Sequence, residues 1–300
     1  MSDVVTTKQA IERHILPDDD HWFIKPVVKA WWDQYVAGGN TDRPMALPDS
    51  RLRASWAGDC SRAIAYHLAK VEESDPMTVA DCWRANVGTL LHNYVQEAII
   101  EAFPGSAAEV KVRFLDVGSG HMDLLVERQV DGRLVRSSVE IKSVNGFGFK
   151  MMTHPRKPEG PRIKYIYQGA LNAANMDPLP DELVIAVLSL ETVSPKEAQE
   201  RGFTSEYQRF SAQWTFSQEE YMSFAVKEQN RLARIIEIFD AEGHLRVPRM
   251  VPDPRLPRHV ITRPDKGLFV VKDDMGNDIG QGSTWQCGYC SFQTQCDQDG

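Results

Sequence analysis

Cysteine is scarce in this chain: five in 300 residues, three of them between Trp285 and Cys296. An odd count so tightly clustered excludes a secreted disulfide framework. It points instead to a reducing cytoplasm, where CxxC spacing favours a metal over a disulfide. Long uncharged apolar runs are missing, which excludes a membrane-spanning helix. The opening MSDVVTTKQAIERH lacks the charged and apolar regions of a secretory signal. Excess positive charge is missing too. A net charge of -8 excludes coating nucleic acid by bulk electrostatics, although a local basic channel is compatible with it. There is no internal repeat, no low-complexity tail and no GxxxxGK[ST] phosphate loop, so the chain carries no motor of that type.

What is present divides into three stretches. The first reads as helical: PVVKAWWDQYVA (26–37), CSRAIAYHLAKVEE (60–73) and ADCWRANVGTLLHNYVQEAIIEAF (80–103). In the last of these, Trp83, Val87, Leu90, Leu91, Tyr94, Val95 and Ala98 recur at helical spacing. The pattern then changes to three strands, 109–117, 121–130 and 133–143. A loop follows over 145–161, then a helix over 163–176 and a buried strand over 183–190. A further strand near 209–216 leads into a long helix whose start is marked by Ser217, Glu219 and Glu220. The tail from Gly243 reads as irregular up to the cysteines. Helices, a three-strand meander, a helix and a strand predict an α/β fold with a mixed sheet flanked by helices.

The meander carries the chemistry. Asp131-Gly132 is a signal for a two-residue type I′ turn. That turn makes paired residue numbers sum to 263, which sets Asp123 opposite Glu140 and His121 opposite Lys142, all on one face. Opposed carboxylates repel. A divalent cation such as Mg²⁺ or Mn²⁺, which prefers oxygen ligands, converts that repulsion into binding. A lysine two residues beyond Glu140 can then orient or deprotonate an attacking water, an arrangement suited to phosphodiester hydrolysis. An exposed charged hairpin face accounts for the same spacing equally well. His121 reads as a neighbour rather than a ligand, and Gly88, one turn before His92, marks a close approach of another segment.

The cysteines are spaced Cys287-x2-Cys290-x5-Cys296, with Cys60 and Cys82 upstream. Four thiolates suit Zn²⁺ or an iron–sulfur cluster, and either upstream cysteine can be the fourth ligand. Basic residues gather at Lys150, Arg156, Lys157, Arg162 and Lys164, and again at Arg246, Arg249, Arg255, Arg258, Arg263 and Lys266. The 145–161 loop also carries Phe147 and Phe149, on which bases can stack while the cations follow phosphates.

In order along the chain, Gly88-x3-His92, Gly120-x2-Asp123, Glu140-Ile141-Lys142 and Gln168 resemble the motifs of the PD-(D/E)XK nuclease superfamily, RecB-like branch. The split cysteines, with Cys60-Ser-Arg62 and Tyr66, resemble the members of that branch with a four-iron cluster: CRISPR-associated RecB-type exonucleases, AddB-type nucleases and phage relatives. The resemblance runs from about Cys60 to Cys296. It implies a restriction-endonuclease-like core over about 78–240 within a single 1–300 domain. It implies that His92, Asp123, Glu140 and the Ile141 carbonyl hold Mg²⁺ or Mn²⁺, that Lys142 is catalytic, and that Gln168 positions the site or the DNA. It implies a [4Fe–4S] cluster on Cys60, Cys287, Cys290 and Cys296, stapling 60 to 287–296, with Zn²⁺ as the alternative. Where the family often has Tyr four residues after the glutamine, this chain has Asn172, and Tyr165 can supply a ring from the same helix face. Arg62, Tyr165, Phe147 and Phe149 are the expected DNA contacts. The implied activity is a DNA exonuclease acting on single-stranded ends in recombination, repair or processing, with a separate helicase or recombination partner for any unwinding. An endonuclease or spacer-processing nuclease of the same fold, or a catalytically silent DNA-binding or assembly module, are the competing expectations.

Overall fold

The computed structural model describes residues 51–75, 79–154, 160–249, 260–263, 268–272, 278–283, 287 and 290–299. The expected helix over 26–37 lies outside them, as do Arg156, Lys157, Arg255, Arg258 and Lys266. The described elements are β1 (Leu52–Arg53), α1 (Ser61–Leu68), α2 (Val79–Ala102), β2 (Ala107–Phe114), β3 (Gly118–Val130), β4 (Arg133–Val144), α3 (Gly146–Met152), α4 (Ile163–Ala174), β5 (Glu182–Ser189), α5 (Pro195–Glu200), β6 (Ser211–Ser217), α6 (Gln218–Glu242), β7 (Val260–Arg263), β8 (Leu268–Lys272), β9 (Asp278–Ser283) and α7 (Gln293–Gln298).

A six-stranded mixed sheet runs in the order β1-β3-β4-β5-β6, with β2 also paired to β3. β4 and β5 are parallel, and both flank other strands, so the apolar run of β5 lies inside the sheet. Asp131 and Gly132 both adopt positive φ, 51° and 77°, as a type I′ turn demands. From there the β3–β4 ladder keeps the expected sum of 263, from Val130–Arg133 to Leu124–Val139. One face of this ladder, Leu124, Val126 and Ile141, packs against Val95, Ile99 and Phe103 at the α2 side. α6 begins at a capping box in which Ser217 and Glu220 satisfy each other's end of the first turn.

The structure departs from the sequence expectations in three places. The 145–161 stretch is not one loop. Residues 146–152 form α3, started by the Asn145 side chain, which accepts from Gly148 N at 2.7 Å. The tail is not irregular up to the cysteines, because β7, β8 and β9 form a separate antiparallel sheet. And α2 does not bury the stripe its periodicity marks: Trp83, Leu90 and Tyr94 are exposed. The helix meets the sheet through Gly88, His92, Val95, Gln96 and Ile99 instead. Two polar residues displace apolar ones on that line because they have partners on β3.

Candidate active site

The β3–β4 ladder stops one residue short of the carboxylates. Beyond Leu124–Val139 the strands part, and no further pairs form between them. The Asp123 carboxylate fills the opening, accepting from the Ile141 backbone N–H at 2.7 Å. In an extended strand a residue's N–H and C=O point to the same edge, so the Ile141 carbonyl also faces this fork. The expected His121–Lys142 pairing is therefore absent. His121 pairs with Lys111 of β2 and is exposed.

Two helices close the fork. From α2, His92 Nδ1 stands 3.9 Å from Asp123 Oδ2. One turn later, Gln96 is buried and donates to the Asp123 carbonyl at 3.0 Å and to Glu109 at 2.9 Å. Gly88 lets α2 approach β4 closely on this face: a methyl group there would sit 2.6 Å from Ser143 Oγ, which would have to turn away. From α4, Gly169 lies close over the sheet, where a methyl group would be 2.9 Å from Leu183 Cδ1 and 3.3 Å from Glu140 Cβ. Asn172 is fully buried and donates to the His121 carbonyl at 2.9 Å. Asn172 thus faces the sheet, whereas Tyr165, expected on the same helix face, is part-exposed. Asn172 braces the separated strand, while Tyr165 lies higher, its ring centroid 5.8 Å from Lys142 Nζ. Gln168 is part-exposed on the same helix. Gln96 carries no motif in the sequence, and Asn172 stands out there only as the residue in place of the family's frequent Tyr. Their positional signals are Gln96's place one turn after His92 and Asn172's one turn after Gln168.

Glu140 is only 1 % exposed, so the alternative of an open charged hairpin face is excluded. One of its oxygens accepts from Lys142 Nζ. The other, Oε2, is buried with no hydrogen bond of ordinary geometry, although the Asn172 amide lies close enough to favour the ionised carboxylate. Burial first, then the charge of Asp123, pushes the Glu140 carboxyl up to about 8, with Lys142 holding it back only in part. Burial likewise raises Asp123, against the opposing pull of Lys142 and His92. Burial alone would lower Lys142, but the charges of Glu140 and Asp123 outweigh it and hold the ammonium above its ordinary range. Among the described residues no three His, Cys, Asp or Glu side chains converge into a ready-made metal cage.

The cysteine-bearing tail docks on α1. Phe292 is buried against Tyr66 and His67 of α1, at ring-centroid distances of 5.2 Å and 4.7 Å. Asp75 holds the start of α7, accepting from Thr294 N at 2.8 Å and from its hydroxyl at 2.9 Å. This docks the tail beside Cys60, which immediately precedes α1. Cys60, Cys287, Cys290 and Cys296 are free, part-buried thiols. Burial, and then the neighbouring thiols, push Cys290 up to about 12. Burial raises Cys287 and Cys296 as well, while Arg249 and Arg62 draw Cys296 back. Arg62 is thus not on a DNA-facing surface. It is buried and donates to the Val247 carbonyl at 2.6 Å. The Cys82 side chain lies outside the described residues.

The basic clusters are partly neutralised. Lys150 pairs with Glu197 at 2.7 Å and Lys164 with Asp59 at 2.7 Å. Among the described residues no helix is long and apolar enough to cross a membrane.

No family model and no curated protein matches the chain. Solved structures are similar in fold. One, a protein described as SSO0001, is 13% identical, with 91% of this chain and 95% of that one covered and a TM-score of 0.44. Another is LHK-Exo, an exonuclease solved in complex with dAMP, also 13% identical, covering 63% of this chain and 90% of that one, with a TM-score of 0.37.

The raised carboxyls make a pH prediction. Glu140 binds its proton more tightly folded than unfolded. Its contribution to stability is therefore complete below its ordinary 4.5 and is lost as pH rises towards about 8. Asp123 acts in the same direction. Chelator-treated protein should melt at progressively lower temperature across that window, and Glu140→Gln should flatten the slope. An equal slope in the variant would contradict the placement of Glu140.

The two phenylalanines of α3 separate. Phe147 is 74% exposed, whereas Phe149 is fully buried in the core beneath α3, which corrects its assignment as a stacking residue. On the expectation of single-strand binding, Phe147→Ala should weaken it by about 1–3 kcal/mol with the fold intact. Phe149→Ala should instead destabilise the protein by about 3–5 kcal/mol. Equilibrium binding and thermal melting distinguish the two.

Proposed function

We propose that the chain is a divalent-metal-dependent deoxyribonuclease of the PD-(D/E)XK, RecB-like type that hydrolyses phosphodiester bonds at single-stranded DNA ends. The observation that carries this reading is the fork: two buried carboxylates, one with an oxygen that makes no hydrogen bond of ordinary geometry, and a lysine beside them. Nothing in fold stability calls for that arrangement, because like charges so buried disfavour the folded state. The donors fit a hard cation. Mg²⁺ is commonly held by one or two carboxylates and keeps several waters, so a sparse protein set suffices and a closed cage is not required.

In this reading Asp123, Glu140 and the Ile141 carbonyl hold the cation, with His92 beside Asp123. The cation supplies Lewis-acid polarisation of the phosphate and a nucleophilic water at neutral pH. Lys142, once the carboxylate charges are neutralised, loses the interactions that hold its ammonium high. It is then placed to move a proton to or from the attacking water. Tyr165, its ring near Lys142 Nζ, is read as the aromatic neighbour of that lysine. Part-exposed Gln168 is read as orienting the strand, and exposed Phe147 as stacking a base.

The four cysteines, in the same reading, bind a [4Fe–4S] cluster, with Zn²⁺ the alternative. Four cysteine sulfurs suit these two occupants, and a bound cation would favour the thiolate forms that burial now disfavours. The Arg62 guanidinium, buried with Nη1 lacking a partner, is suited to an anionic neighbour. The cluster's role here is structural.

The test uses anaerobically purified full-length protein, Mn²⁺, and end-labelled linear and circular single strands. Degradation of the linear strand with survival of the circle supports an exonuclease. Cleavage of the circle replaces it with an endonuclease of the same fold. Binding without cleavage of either leaves a DNA-binding or assembly module.

A further inference from the structure

The loop that carries Cys60 also touches the helix that carries Tyr165. Gly58 has φ 75°, and a methyl group on it would sit 2.7 Å from Lys164 Cα. Backbone packs directly on backbone at that point, which leaves little room for either segment to move alone. Asp59, the next residue, receives Lys164 Nζ on both carboxylate oxygens, at 2.7 Å and 2.8 Å. The loop is fixed from behind by α6. Glu228, buried, accepts from Gly58 N at 2.8 Å, and Arg231 donates to the Asp59 carbonyl at 3.0 Å and to Ser61 Oγ at 2.9 Å. Lys164 immediately precedes Tyr165, whose ring lies by Lys142. One turn on, Gly169 rests against Glu140.

We propose that the Gly58–Cys60 loop couples the cysteine cluster to the nuclease site through the first turn of α4, with Gly58, Asp59 and Lys164 acting as positioning residues for Tyr165 and Lys142. The inference rests on the nuclease and cluster readings above and adds to them how the cluster bears on turnover. A cluster bound at Cys60 fixes the loop from one side, as Glu228 and Arg231 fix it from the other. Release of Cys60 frees the loop to shift against Lys164, and the first turn of α4 shifts with it. The carboxylates stand on β3 and β4 and are not displaced. The expected signature is therefore slow chemistry with cation binding preserved.

The experiment compares full-length wild type, Gly58→Ala, Lys164→Met, Lys164→Arg and Cys60→Ala, all purified without oxygen. Three quantities are read: visible absorption of the cluster, the rise in melting temperature with Mn²⁺, and the single-turnover cleavage rate at saturating single-stranded DNA. Lys164→Met should keep the absorption and the Mn²⁺ response, yet cleave on the order of 10- to 100-fold more slowly, as expected for a small misplacement of a catalytic group. Lys164→Arg, which keeps the charge on Asp59, should recover most of the rate. Gly58→Ala should slow cleavage similarly, and combining it with Cys60→Ala should add little to the larger single loss. Wild-type rates in both Gly58→Ala and Lys164→Met, or fully additive losses in the double variant, would overturn the coupling. If wild type fails to cleave, or Lys142→Ala cleaves normally, it is the nuclease reading that has failed.

Discussion

Lys142→Ala should slow single-turnover cleavage by on the order of 10²- to 10⁴-fold, the usual contribution of a placed proton-transfer group, while Mn²⁺ still raises the melting temperature. The two halves of that result have separate causes. Lys142 is a cation bonded to Glu140, so its removal leaves the carboxylates in place and unopposed. Cation binding by the pair should persist or tighten. Asp123→Asn and Glu140→Gln should behave differently, losing both the Mn²⁺ response and cleavage. His92→Ala should weaken the Mn²⁺ response more than it harms the fold, since His92 reaches Asp123 from a helix otherwise anchored by Gln96. Metal-free Glu140→Gln should be no less stable than wild type above about pH 8, where wild-type Glu140 ionises beside Asp123. Loss of folding in all four variants would show these residues to be structural only.

Cys60→Ala should bleach the visible absorption of anaerobically purified protein and lower its melting temperature, while Cys82→Ala leaves both near wild type. Phe292 and Asp75 dock the tail on α1, beside Cys60 and against residues more than two hundred positions away in sequence. A bond through metal across so long a loop removes conformational freedom from the unfolded chain. The tail has those noncovalent contacts as well, so the variant should lose stability without losing the six-stranded sheet. The reverse outcome for the two cysteines would move the fourth ligand to Cys82. A zinc signal without colour would keep the ligands and change the metal.

Much of this was legible because it depends on local chemistry. Asp131-Gly132 admits few turns, and that turn fixed a register that held for seven consecutive pairs. Ser217 and Glu220 likewise marked a helix start by mutual capping. The fork was not legible, because counting along two strands assumes a ladder that continues. Where α4 wedges Asn172 under His121, tertiary packing overrides the count. Phe147 and Phe149 look alike in sequence. Their opposite fates arise because a short helix turns one outward and the other into the core. The exposure of Trp83, Leu90 and Tyr94 on α2 has a similar origin. The sheet contacts the helix along the line that carries His92, Val95, Gln96 and Ile99, and polar partners on β3 select it together with apolar packing.

The account turns on the fork between β3 and β4 being a cation-dependent phosphodiesterase site. The most direct measurement is release of labelled nucleotide from the end of a linear single strand, by wild type and Glu140→Gln, with Mn²⁺ titrated from zero. Wild type should be inactive after chelation and active on Mn²⁺ addition, and Glu140→Gln should stay inactive at every concentration. Mn²⁺-independent cleavage by wild type, or full activity of Glu140→Gln, would contradict that assignment.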